Sequence, residues 1–157
     1  MANKATDETK RPSSQIGVLT LIDVSIEFDP ELEVNGEIEA SFKVEITRPD
    51  FVEIEDEAIK DAVAFQAAMQ IGKGRKGAEQ YTTFVTATYL CGMRCEGASE
   101  AEVVEIAKHV AQTTIWSNFT SLAAVLTQQM HAEFPVLPPR PSAVAVATLE
   151  DGEVSGN

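Results

Sequence analysis

The sequence predicts an α+β domain: a four-stranded antiparallel sheet followed by two helices packed on one of its faces. Three observations predict it. In the N-terminal part of the chain apolar and polar residues alternate, which is the period of a strand with one buried face. From Ser99 onward the apolar residues recur at three- and four-residue steps, the period of a helix. The two patterns do not interleave, so the chain reads as strands then helices rather than as repeated βαβ units. At 157 residues it is long enough to bury one real core, and a hydrophobic fraction of 44% argues against wholesale disorder.

Residues 1–14 are polar and are expected to form a disordered arm. VLTLIDVSIEFD (Val18–Asp29) is the first strand, with Ile22, Val24, Ile26 and Phe28 on one side and Asp23, Ser25, Glu27 and Asp29 on the other. DPELEVNG turns the chain. GEIEASFKVEIT (Gly36–Thr47) is the second strand: Ile38, Ala40, Phe42, Val44 and Ile46 face in, and Glu37, Glu39, Ser41, Lys43 and Glu45 face out. Pro49 ends it, because proline has no N–H for a ladder.

Residues 51–71 carry alanines that suit a helix. They also carry an alternation of Val63, Phe65, Ala67, Met69 and Ile71, and this favours a strand over 62–71 after a loop. GKGRKGAEQ (Gly72–Gln80) reads as a flexible hairpin loop holding the basic cluster Lys73, Arg75 and Lys76. YTTFVTATYLCGMRCEG (Tyr81–Gly97) is the fourth strand. Val85, Ala87, Tyr89, Cys91, Met93 and Cys95 share one face of it, and Phe84, Thr86, Thr88, Leu90 and Arg94 share the other.

Ser99 and Glu102 have the spacing of a capping box, and Val103, Ile106 and Val110 continue a helix to about Gln112. A second helix covers Ile115–Ala132, where Phe119, Leu122, Leu126 and Met130 form a stripe that Trp116 and Ala123 widen. Pro135 bars its continuation. PVLPPR (Pro135–Arg140) fits the pattern of a proline-rich ligand. Phe134, Val136 and Leu137 interleave with the prolines, however, which favours a strap packed on its own protein or on a neighbouring subunit. From Ser142 the chain is small and then acidic, and 142–157 is expected to be a mobile tail around a single domain at 15–141.

Composition narrows the function. A net charge of −13 argues against a nucleic acid or an anionic membrane as partner. No apolar run approaches the roughly 18 residues of a membrane span, and no leader segment is visible, so a cytoplasmic protein is expected. Cys91 and Cys95 sit about 13 Å apart along a strand, beyond disulfide reach, and read as small buried hydrophobes. His109 and His131 lack ligand spacing, so no metal is expected. The chain holds no phosphate loop, dinucleotide fingerprint or nucleophile elbow, so neither an enzyme nor a cofactor is expected.

Three stretches in this order carry a resemblance: DVSIEF (Asp23–Phe28), YLCGMRCEG (Tyr89–Gly97) and TTIWSNFTSLAAVLTQQMHAEFPVLPP (Thr113–Pro139). Together they resemble the bacterial SecB chaperone family and its SecB-like relatives. There are departures. WSNFTS (Trp116–Ser121) stands where family members typically carry a Pro-Tyr and Arg-Glu pattern, Thr86 stands where the later strand often has an acid, and residues 51–80 form a longer insert. These resemble the divergent SecB-like group, some of which serve toxin–antitoxin systems, and they bear on docking to the motor SecA more than on the fold.

The resemblance implies an ATP-independent holdase that keeps unfolded clients, such as preproteins for export, in apolar grooves. It also implies a homotetramer built as a dimer of dimers, with SecA or an antitoxin as further partners and no insertion into the membrane. The alternative is a dedicated chaperone or assembly module of similar fold for one partner, such as an antitoxin. Asp23, Glu27 and Phe84 fall where family members meet SecA; by residue pattern alone, the two acids equally suit protection of a sheet edge. Candidates for the client groove are Met93, Trp116, Phe119, Leu122, Leu126, Met130, Phe134 and Leu137. Methionine adapts to varied partners, and Met69, Met93 and Met130 equally suit core filling.

Overall fold

The computed structural model describes residues 13–33, 37–53, 61–134 and 136–147. Strand β1 (Ser13–Glu27) leads through a short 3₁₀ turn at Pro30–Glu33 to β2 (Ile38–Ile46) and the two-residue β3 (Asp50–Phe51). The long strands β4 (Ala62–Arg75) and β5 (Thr83–Glu96) follow. Helix α1 (Glu100–Val110) then runs through a π-turn at Ala111–Ile115 directly into α2 (Trp116–Met130), and β6 (Ala145–Val146) closes the described chain.

The α+β class holds, with two differences in detail. Among the described residues the sheet has six strands rather than four and is mixed rather than antiparallel. Its order is β1-β5-β4-β2-β6, with β3 on β4, and β6 lies parallel to β2. The two expected helices are one continuous rod. The polar, β-branched Thr113 and Thr114 read as a gap in the sequence. In the structure they belong to the widened turn, where the Thr113 hydroxyl donates to the His109 carbonyl at 2.7 Å and keeps that backbone group satisfied.

The alternation in β4 and β5 has the expected cause. Val63, Phe65, Ala67, Met69 and Ile71 pack with Val85, Ala87, Tyr89, Cys91 and Met93 on the face that the helix covers. Val103, Ala107, Val110, Ala111, Ile115, Trp116, Phe119 and Ala123 supply the helix side of the same core. The expected loop at Gly72–Gln80 begins too early: β4 runs on to Arg75, and Lys73 is a buried strand residue. Gly74 is required there, because a Cβ would lie 2.6 Å from the Tyr81 ring.

Both ends of the domain carry more structure than their polarity suggests. Ser13 and Ser14 of the expected arm already pair with Glu96 and Cys95 in β1. Ala145 and Val146 of the expected tail pair with Glu45 and Ile46. Residues 1–12 and 148–157 of these segments lie outside the described residues.

The helix end is also closed differently from expectation. His131 adopts a left-handed conformation (φ 52°), its N–H donates to the Gln128 carbonyl, and the Ala132 N–H donates to Thr127. This Schellman closure satisfies the last carbonyls before the prolines begin. Pro135, expected to stop the helix, lies outside the described residues.

Candidate functional site

β1 is the outermost strand, paired only with β5 among the described strands. Its ladder is interrupted by bulges at Gly17 and Ile22. The second bulge changes the expected facing. Cross-strand partners share a face, and Leu21, Val24 and Ile26 lie opposite Tyr89, Ala87 and Val85, all on the helix side of the sheet. Ile22, expected beside Val24, is instead the unpaired bulge residue.

The helix does not reach this row. Ile16 and Leu19 pack against the edge of the core, but Leu21, Val24, Ile26 and Phe28 are 39–42% exposed, and Val18 and Ile22 are 53% and 47% exposed. A long apolar edge strand left open is a template for another chain, and proteins ordinarily blunt such edges with lysine, proline or a cover. β1 carries neither lysine nor proline.

The opposite face of β1 carries its acids. Asp23 lies opposite Thr88 and Glu27 opposite Phe84, so Asp23, Glu27 and Phe84 come together on the face away from the helix. Asp23 and Glu27 are exposed, and Phe84 is half-buried.

On that same face lies an apolar groove of about 460 Å³. Its floor is kept low by Gly92, Ala62 and Ala64: Gly92 in β5 sits between Val18 and Ala64, and Arg94 sits between Gln15 and Ala62. Val18 and Val52 form walls. The Arg94 guanidinium reaches Glu96 at 2.8 Å, which neutralises the charge at the groove end. A Cβ on Gly92 would meet only Val18 Cβ at 3.6 Å, an ordinary contact, so the sheet itself does not require glycine there. The sequence reading missed this groove. The available signal was a glycine in the middle of an otherwise alternating strand, which often marks a close approach.

The expected groove residues separate into two groups. Met93, Trp116 and Phe119 belong to the core, and of the three only Met93 also contributes to the lining of the groove over Gly92. Trp116 is wedged between Phe42 and Phe119, with ring centroids 5.4 and 5.6 Å away. A stripe of large apolar residues at helical spacing is what both a core face and a groove require, so the pattern could not tell them apart. Met69 is likewise core. Leu122, Leu126, Met130, Phe134 and Leu137 are half-buried at the rim of the core. Of these, Phe134 and Leu137 join Ile71, Ala123 and Thr127 around a cleft of about 270 Å³ between the helix and the proline-rich strap.

That strap runs back along the helix. Trp116 Nε1 donates to the Pro138 carbonyl at 2.8 Å, and Gln112 Nε2 donates to Pro141 at 3.2 Å. The cysteines are buried and unbridged. Burial first, and then the neighbouring Cys95, pushes the Cys91 thiol up to about 11, and burial followed by Asp61 raises that of Cys95. Neither is a thiolate nucleophile at neutral pH. No described helix is long and apolar enough to cross a membrane.

No protein-family model matches the chain, and no curated protein matches it. Among solved structures, it is similar to the Mycobacterium tuberculosis SecB-like chaperone Rv1957 in complex with a ChAD peptide from the HigA1 antitoxin. The TM-score is 0.46 at 12% identity, over 82% of this chain and 92% of that one.

Proposed function

We propose that the chain is an ATP-independent holdase, a chaperone that binds unfolded polypeptides, including preproteins for export, on apolar surface its own helix leaves uncovered. One observation carries the proposal: β1 is an open edge strand with an exposed apolar row, and its two acids lie on the opposite face from that row. An unfolded chain offers what that edge lacks. Its backbone groups can extend the sheet, and its apolar side chains gain roughly 25 cal/mol for each Å² removed from water. Neither contribution needs a nucleotide or a reactive group, and the proposal includes no catalysis. The net charge of −13 keeps such a surface soluble. The order of the three stretches that resemble SecB supports the same reading.

The proposal includes assembly into a homotetramer, a dimer of dimers, in which a second copy covers part of the exposed edge, and it includes residence in the cytoplasm, where exported chains are still unfolded. Asp23, Glu27 and Phe84 form the proposed contact for a partner such as SecA, since they share one exposed face. Light scattering and an aggregation assay test the proposal. The expected particle mass is near four times 17.0 kDa, and the protein is expected to slow aggregation of a reduced, denatured model protein without nucleotide. A monomer with no effect on aggregation would sink it. Tight binding to a single protein with weak general holding would instead point to a dedicated module, such as one serving an antitoxin.

A further inference from the structure

We infer that the strap, described at 133–134 and 136–141, is a separable cover on the domain, and that Lys73 is the positioning residue that fixes it. Lys73 is 1% exposed, on the helix side of β4, where the register sets it between Ala40 and Thr83. Lysine is almost never buried so fully without partners. Its Nζ donates to the Glu133 carbonyl at 2.8 Å and lies 5.0 Å from the centre of the Phe134 ring. Both groups belong to the first residues of the strap.

Three contacts along the strap share this polarity, while Arg140 reverses it by donating to Gln112 Oε1 at 3.2 Å. Lys73, Trp116 and Gln112 each donate a side-chain N–H to a strap carbonyl, at Glu133, Pro138 and Pro141. Pro138, Pro139 and Pro141 have no N–H to give back. Among the described residues, strand pairing with the body resumes only at Ala145. Packing under the strap is incomplete, as the cleft beneath Phe134 and Leu137 shows, and Val136 is 98% exposed. The strap is thus pinned at separate points rather than knitted in. Lys73 holds its start, and its long stem is fixed by the sheet around it.

Trp116 reports on the strap, because it is the chain's single tryptophan and its indole N–H is bound to Pro138. The full-length protein, without client, is quenched with acrylamide. Lys73→Met, which keeps the stem and removes the donor, is expected to raise the quenching constant by about twofold or more with far-UV circular dichroism unchanged, since a released segment opens locally. Lys73→Arg, which keeps a donor, is expected to give a smaller rise. Leu126→Ala, a packing change elsewhere on the helix, is expected to leave Trp116 as shielded as before. If Trp116 stays as shielded in Lys73→Met as in the wild type, the inference is overturned. Should Lys73→Met fail to fold, Phe134→Ala decides: it leaves the sheet intact, increased quenching supports the inference and unchanged quenching overturns it. The readout does not depend on client holding, so either idea can fail alone.

Discussion

Replacing Val24 and Ile26 together with threonine tests the β1 surface directly. Threonine keeps the β-branch, so the strand conformation is retained. Val24 is 39% exposed and Ile26 41%, on the helix-side face beyond the helix. Full burial of such a side chain contributes about 1.5–3 kcal/mol, so the exposed two-fifths of the pair offers a partner about 1.2–2.4 kcal/mol. That corresponds to roughly 8- to 50-fold in affinity. The part already packed on β5 is lost to the fold as well. A loss of about 1–2 kcal/mol lowers the melting temperature by about 2–8 °C, leaving a folded protein to assay. The assay is an equilibrium titration of a fluorescently labelled, permanently unfolded polypeptide, with particle mass measured in parallel. Weaker binding or a smaller particle is expected. If affinity and mass both match the wild type while the variant remains folded, the exposed row of β1 is not a working surface and the reasoning from edge exposure fails.

Three further outcomes follow from the structure. Leu137→Asp places a charge at a half-buried strap position beside Phe134, and either assembly or client holding is expected to suffer; normal behaviour in both assays would count against a packed strap. Gly92→Ala is expected to stabilise the fold by about 0.5–1 kcal/mol, because its methyl fits beside Val18, whereas Gly74→Ala is expected to destabilise it, because its methyl collides with Tyr81; a pair of thermal melts separates them. The Cys91 thiol is raised in the folded state, so the unfolded chain loses that proton first as pH climbs. Stability from this group is therefore present below about pH 9 and declines towards about pH 11, and Cys91→Ala should flatten that part of the curve in denaturant melts across the range.

The alternation in β2, β4 and β5 was legible because one face of each is packed against the helix, and burial on a single face imposes period two. The alanines of β4 did not mislead, since Val63, Phe65, Met69 and Ile71 kept that period around them. The strand β1 was legible, but its facing was not. A bulge at Ile22 moves Leu21 onto the side of Val24, and nothing in the local pattern marks it. The helical stripe was legible from Val103 to Met130, but its continuity was not, because Thr113 and Thr114 resemble a break until the hydroxyl of Thr113 is seen bound to the backbone. The groove over Gly92 needs three strands in register before it exists.

By itself, then, the sequence determined the four long strands and the helical stretch that follows them, together with the acidic charge of the chain. These follow from local periodicity and composition, which any short window of chain carries. Only the tertiary structure decided which apolar residues are core and which lie open. Trp116, Phe119 and Met93 are covered because the helix crosses β2, β4 and β5, and Leu21, Val24 and Ile26 are bare because it stops short of β1. Hydrophobicity is a property of the residue, but burial depends on where distant segments happen to lie, and no local pattern encodes where one rigid helix ends its reach.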